Sequence, residues 1–348
     1  MVLQENAPLA PLTTFGVGGP ARYLVEARTL PEVAEAVDFA SSRNVPLFVL
    51  GGGSNLVIAD NGWPGLVLKP AIKGIDRQEE RERTLFTVGA GESWDDFVDH
   101  AVAANCAGIE CLSGIPGSVG GTPVQNVGAY GQEVSRTIDS VEVFDRKDGQ
   151  IRELCNEACG FSYRSSIFNT TERGRFIILR VTYALSFGGE PHIEYADLRS
   201  HFEGGASRPT LEEVRQAVRE IRGRKGMLIV EGDPDSRSAG SFFKNPVLSE
   251  EQLQALKKRA EATSLVIPAY PALAQQHKVS AAWLVEHSGF SRGYSSGHVG
   301  ISSKHALAII NRGGGSATEI LALKDQIQRR VETVWGVRLE PEPVFVGA

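Results

Sequence analysis

The sequence predicts an α+β protein of two or three domains, and three observations lead there. Four segments open on a helix-capping pattern and continue with apolar residues at helical spacing. Short runs rich in β-branched and aromatic residues lie between glycine-rich turns. The length, 348 residues, exceeds what one hydrophobic core usually serves.

In chain order, Thr29 with Glu32 three residues on opens the first helix, whose inward face is Val33, Ala36, Val37 and Ala40. Residues 47–50 (LFVL), 84–90 (TLFTVGA), 140–145 (SVEVFD) and 176–185 (FIILRVTYAL) read as strands. Asp148 and Gly149, between VEVFDR and QIREL, mark a hairpin, because glycine accepts the positive φ of the tight turn. The charge run at residues 77–83 (RQEERER) is expected to form a solvated turn. Thr210 with Glu213, Ser249 with Gln252, and Ser316 with Glu319 open later helices, the last with Ile320, Leu323, Ile327 and Val331 inward. Helix content rises after about residue 205, so a domain boundary is expected there.

Composition excludes several classes. A net charge of −6 and a pI near 5.7 argue against a general nucleic-acid surface, which needs clustered Lys and Arg. Arg222, Arg224 and Lys225 form a local basic spot suited to one small anion. The opening MVLQENAPLAP lacks the basic and apolar regions of a signal peptide, and no stretch of about 18 apolar residues occurs, so a cytoplasmic protein without membrane contact is expected. Cys106, Cys111, Cys155 and Cys159 contain no CxxC and the seven histidines are scattered, so no metal is expected and the thiols read as reduced and structural.

Two glycine loops carry the first chemical signal. LGGGSNLV (residues 50–57) follows a strand, and its consecutive glycines let backbone N–H groups approach an anion. It is neither a dinucleotide GxGxxG nor a GxxxxGK[ST] loop. SGIPGSVGGTPVQNVGAYG (residues 113–131) is too long and too rich in glycine to be ordinary connection. Two such loops facing one another suit a large dinucleotide, one at the pyrophosphate and one along the ring system. The octet AGSFFKNP (residues 239–246) reads by itself as an apolar strand ending at Pro246, with a serine whose hydroxyl faces a lysine and an asparagine along the chain.

Taken in order, TTFGVGGPA (13–21), LGGGSNL (50–56), IPGSVGGTPVQNVGAYG (115–131), YRSSIF (163–168), AGSFFKNP (239–246) and LEPEPVF (339–345) resemble the UDP-N-acetylenolpyruvoylglucosamine reductase (UDP-N-acetylmuramate dehydrogenase) family across nearly the whole chain. The resemblance implies a vanillyl-alcohol-oxidase-type FAD-binding fold of two subdomains, residues 1–75 and 76–205, a separate α+β substrate-binding domain, 206–335, and a tail, 336–348, returning to the active site. It implies non-covalent FAD, NADPH as reductant, a UDP-sugar substrate and a monomer.

The resemblance assigns Ser241 as proton donor, Arg164 as the fork on the substrate carboxylate, and Glu342 as the third catalytic residue, a carboxyl of raised pKa sharing a proton with that carboxylate. The choice of Glu342 over Glu340 rests on alignment with the family motif. The flavin is assigned to Gly51, Gly52, Gly53, Ser54, Asn55 and Leu56 of the first loop, and to Ile115, Pro116, Gly117, Ser118, Gly120, Gly121, Asn126, Gly128, Ala129 and Tyr130 of the second. Tyr163, Tyr195, Lys225, Lys244 and Asn245 are assigned to substrate, Tyr195 by likeness to the subtype whose tyrosine loop closes over the UDP-sugar. The alternative, a sugar or hydroxyacid oxidase on the same fold, often tethers FAD through histidine or cysteine; the loop at 50–56 contains neither. A flavin or nucleotide-sugar binding module without catalysis is disfavoured because all three chemical residues are present.

Overall fold

The computed structural model describes residues 1–81, 83–205, 207–261, 265–272 and 275–347. The chain forms two compact units, both discontinuous in sequence: residues 1–7, 21–53 and 63–224 make the first, and 8–20, 54–62 and 225–348 the second.

Among the described residues the first unit holds a two-stranded ribbon, Gly128–Ala129 with Gln132–Glu133, at the end of the second glycine loop, and two larger sheets. In one, the strands Leu3–Pro8, Pro20–Ala27, Trp63–Pro70 and Leu47–Val49 lie in that spatial order, the last three parallel. Helix α1 (Leu30–Ser42) is the crossover, and its capping box at Thr29 forms as expected, with Val33, Ala36, Val37 and Ala40 buried. The other sheet is antiparallel, in the order Gln150–Cys155, Ile138–Asp145, Phe176–Phe187, Arg83–Gly89 and Ile75–Glu80. Its hairpin turns where Asp148 and Gly149 predicted, Gly149 taking φ +73° between the paired Asp145 and Gln150. Helix α2 (Trp94–Ala103) supplies Trp94, Phe97, Val98 and Ala101 to the core beneath this sheet. Helices α3 (Ala196–Phe202) and α4 (Leu211–Arg224) join Cys111 and Tyr130 in a smaller apolar cluster.

Two expectations are revised here. The charge run is not simply a turn: Ile75–Glu80 is an edge strand, where exposed charges discourage pairing with another chain, while Glu82 lies outside the described residues. The first compact unit runs on past residue 205 to take in α4, while Ala206 itself lies outside the described residues. Arg222 is no surface cation but is buried on α4.

The second unit packs α5 (Glu250–Glu261), α6 (Ala281–Glu286) and α7 (Ala317–Trp335) around a core that includes Phe15, Val57, Phe242, Phe243 and Leu339. The hydroxyls of Thr210, Ser249 and Ser316 cap α4, α5 and α7 reciprocally with Glu213, Gln252 and Glu319. Asp60 reinforces the start of α7, accepting from the N–H groups of Ala317 at 2.8 Å and Thr318 at 3.0 Å. The strand Val344–Val346 pairs parallel with Leu56–Ile58, tying the end of the chain to the exit of the first glycine loop. Among the described residues, no helix is long and apolar enough to cross a membrane.

Candidate active site

The first unit carries the glycines of the two loops. They face one another backbone to backbone: a Cβ at Gly52 would lie 2.4 Å from Gly117 Cα, and one at Gly51 would lie 3.3 Å from Ser118 Oγ. Gly53 takes φ +67°. The N–H groups of Gly51, Gly52, Gly53 and Ser54 find no hydrogen-bond acceptor among the described residues. Consecutive amides of this kind around a left-handed residue form an anion-binding nest. The donor set therefore fits a pyrophosphate, as FAD binding requires.

The second loop is held firmly at its edges. Gly120 N–H donates to Ala90 O and Val119 N–H to Glu92 O, both at 2.9 Å, while Gly117 O accepts from Trp94 N–H at 3.1 Å. Gly114 N–H donates to Asp95 Oδ1 at 2.6 Å, and Gly114 O accepts from Arg222 Nε at 3.2 Å. Burial opposes ionisation of Asp95, yet Arg215 and the Gly114 amide hold its carboxyl below the ordinary carboxylate range. Arg222 also hydrogen-bonds to Tyr130. Sequence reasoning missed this tie; the signal for it was an arginine on the apolar face of a capped helix.

Arg164 sits at the tip of a two-residue turn closed by reciprocal backbone hydrogen bonds between Ser162 and Ser165. Its φ of +55° is uncommon for a side-chain-bearing residue and is held by dense surrounding bonds. Arg164 Nη2 donates to Gly128 O at 2.7 Å, Ser166 Oγ donates to Val124 O at 2.6 Å, and Asn126 Nδ2 donates to Ser162 O at 3.0 Å. The turn is thus fixed to the second glycine loop. Tyr163 lies 5.5 Å beneath the Arg164 guanidinium, and Tyr195, at the start of α3, packs edge to face on Tyr130 with centroids 5.4 Å apart. Of the buried Asn126, Oδ1 accepts from Ser135 N–H at 3.1 Å, so this residue shapes the loop as well as lining it.

The second unit carries Ser241 and Glu342. The octet at 239–246 is not a regular strand: Gly240 takes φ +72°, Ser241 follows in a bend, and only Phe243 makes an isolated antiparallel bridge, to Pro341. Phe242 O accepts from Glu342 N–H at 2.8 Å and Glu340 O accepts from Lys244 N–H at 2.9 Å, so Glu342 stands opposite Phe242, the neighbour of Ser241. Phe242 and Phe243 are buried and anchor this register, with Phe15 packed edge to face on Phe242. Glu340 is 76% exposed and lies 3.6 Å from Lys244 Nζ, whereas Glu342 is half-buried. Glu342 O accepts from Asn55 Nδ2 at 3.2 Å and Asn55 O accepts from Val344 N–H at 2.9 Å. Thr14, in the first motif of the resemblance but given no role there, donates from Oγ1 to Ser238 O at 2.5 Å and to Ser54 O at 3.4 Å. Asn245 has a local task, its Oδ1 accepting from Ala281 N–H at 2.9 Å at the start of α6. Lys225 is half-buried in the turn after α4.

The chain is similar to known proteins. A family model described as "FAD binding domain" matches residues 21–154, and one described as "UDP-N-acetylenolpyruvoylglucosamine reductase, C-terminal domain" matches residues 233–346. Tyr163, Arg164, Tyr195 and Lys225 fall outside both matches. A protein of Streptomyces coelicolor named UDP-N-acetylenolpyruvoylglucosamine reductase is 44% identical, the alignment covering 99% of this chain and 90% of the relative. One of Thermobifida fusca with the same name is 42% identical over 99% of this chain and 98% of its own. The crystal structure of UDP-N-acetylenolpyruvylglucosamine reductase from Thermus caldophilus is similar with a TM-score of 0.67 at 28% identity, covering 99% of this chain and all of that one.

Proposed function

The chain belongs to the UDP-N-acetylenolpyruvoylglucosamine reductase family, an FAD-dependent oxidoreductase, and from that premise we propose that it converts the enolpyruvyl ether of UDP-N-acetylglucosamine to the lactyl ether of UDP-N-acetylmuramate at the expense of NADPH. The chemistry FAD supplies when bound is two-electron transfer, taking hydride from NADPH and giving it to C3 of the enolpyruvyl group. This is a step in making a peptidoglycan precursor.

Hydride at C3 leaves carbanionic charge at C2, shared with the carboxylate. Ser241 Oγ–H delivers the proton to C2. A serine hydroxyl is a weak acid but a carbanion is a strong base, so placement matters more than acidity, and solvent afterwards returns a proton to Oγ. Arg164 binds the substrate carboxylate through its fork and stabilises the enolate form. Glu342, protonated beside that carboxylate, shares its proton and removes a like-charge repulsion. Tyr163, Tyr195, Lys225 and Lys244 contact substrate, and the amide nitrogen of Asn245 adds a donor while its oxygen holds α6. FAD lies on the elements of residues 1–205 and the UDP-sugar on those of 206–335, with the tail from 336 bringing Glu342; the enzyme works as a cytoplasmic monomer, of the tyrosine-loop subtype.

The observation that supports this reading most is the ladder of Phe242 with Glu342 and Lys244 with Glu340, which seats two residues remote in sequence in neighbouring registers. One purification tests the proposal. The protein should be yellow, bleach on adding NADPH without oxygen, and recolour on adding the enolpyruvyl UDP-sugar; no recolouring contradicts the assigned substrate.

A further inference from the structure

We propose that Glu110 is a positioning residue for the substrate-facing tyrosine: together with Cys111 it grips both backbone polar groups of His192 and so sets Tyr195 against Tyr130. The inference rests on the assignment of Tyr195 to substrate given above.

Glu110 is fully buried, and its hydrogen-bond partners among the described residues are all neutral. Oε2 accepts from Gly108 N–H at 2.7 Å; Oε1 accepts from Gln132 Nε2 and from His192 N–H, both at 2.9 Å. Cys111 completes the grip. Its thiol donates to His192 O at 3.0 Å and its N–H donates to Gln132 Oε1 at 2.8 Å. The short turn Glu110–Leu112 therefore holds Gln132, two residues beyond Tyr130, and His192, three before Tyr195. The His192 ring covers Gly131, where a Cβ would come within 2.7 Å of Nε2. The edge-to-face contact of Tyr130 and Tyr195 is thus framed on both strands of chain that carry it.

The chemistry explains why the residue is a carboxylate. Three donors converge on one side chain, and an ionised carboxyl is acceptor-only. Glutamine is isosteric, but either orientation of its amide turns an NH2 toward at least one of those donors. A buried donor facing a donor destabilises the arrangement it belonged to.

The test uses the FAD-loaded enzyme and the variants Glu110→Gln, Cys111→Ala, Tyr195→Ala and the Glu110→Gln/Tyr195→Ala double. KM and kcat for the enolpyruvyl UDP-sugar are measured with FAD content and amide exchange of residues 190–195. The expected result is a KM raised about tenfold in Glu110→Gln and in Tyr195→Ala, with no further rise in the double, because both remove one effect. Exchange in 190–195 quickens in Glu110→Gln while FAD content and the rate of flavin reduction by NADPH stay at the wild-type level. An unchanged KM in Glu110→Gln beside a raised one in Tyr195→Ala, or full additivity in the double, overturns the positioning role. An unchanged KM in Tyr195→Ala overturns the assignment of that tyrosine, and the proposal with it. Should Glu110→Gln lose FAD, Cys111→Ala, which spares the carboxylate, decides by the same comparison of KM.

Discussion

Gly52→Ala is a sharp probe of the flavin cradle. The new Cβ would lie 2.4 Å from Gly117 Cα, 2.6 Å from Gly117 C and 2.7 Å from Ser118 N, all backbone atoms that no rotamer change can move aside. Relief needs a shift of roughly 1 Å to reach ordinary contact distance. The second loop resists such a shift, since Trp94 N–H is bonded to Gly117 O at 3.1 Å and Ser118 bridges to Ser93. Overpacking of this kind costs about 1–3 kcal/mol, or a Tm lower by roughly 2–4 °C for each kcal/mol in a unit of this size. Displacing the amides of residues 51–54 should also weaken FAD binding by about 10- to 100-fold. Reconstitution of apoprotein with FAD, followed by flavin absorbance, reads the affinity, and thermal unfolding reads the stability. A Gly52→Ala protein with wild-type FAD affinity and a Tm within about 1 °C would refute the close-approach argument. Gly53→Ala tests a different mechanism, because φ is +67° there and an alanine costs about 1–2 kcal/mol in backbone strain.

Three further outcomes follow from individual groups. Arg164→Lys keeps the charge and loses the fork, so the half-reaction with substrate should slow about 10²-fold with FAD retained; an unchanged rate would remove Arg164 from carboxylate binding. Asp145 is buried and held well below the usual carboxylate range by Arg175, with the Lys147 amide and Arg152 adding to it. A depressed pKa contributes stability that is present above the unfolded value, near 3.9, and is lost as pH falls toward the folded value. Asp145→Asn should therefore lower Tm most at neutral pH, with the gap to wild type narrowing below about pH 4; a pH-independent gap contradicts this. Cys155 is exposed while Cys106, Cys111 and Cys159 are buried, and burial pushes the Cys159 thiol up to about 12. A thiol reagent at pH 8 should modify one cysteine in the folded enzyme, and prompt labelling of three would contradict that burial.

Local signals in the sequence were reliable where the interaction that makes them is local. Each capping box is a reciprocal bond over three residues, and all four form. The hairpin at Gly149 and the opposed glycine loops follow likewise from conformations that only glycine takes easily. What stayed hidden depends on distant partners. The second unit recruits residues 8–20 and 54–62 from the middle of the first, and the pairing of Leu56–Ile58 with Val344–Val346 has no local trace. Pro246 and the two phenylalanines suggested a strand, but Gly240 bends the segment and its partner is a proline-flanked tail with one bridge. The hydrogen bonds of Glu110 and the structural task of Asn245 at α6 left no sequence signal, because their donors, His192 and Ala281, lie far along the chain. The assignments of Ser241, Arg164 and Glu342 came from the family resemblance; spacing alone singled out none of them.

The proton donor is the centre of the account, and Ser241→Ala tests it directly in anaerobic stopped flow. Flavin reduction by NADPH should proceed at the wild-type rate, and reoxidation by the enolpyruvyl UDP-sugar should slow by roughly 10²–10⁴-fold, the usual worth of a positioned proton donor. Reoxidation by substrate at the wild-type rate would contradict it.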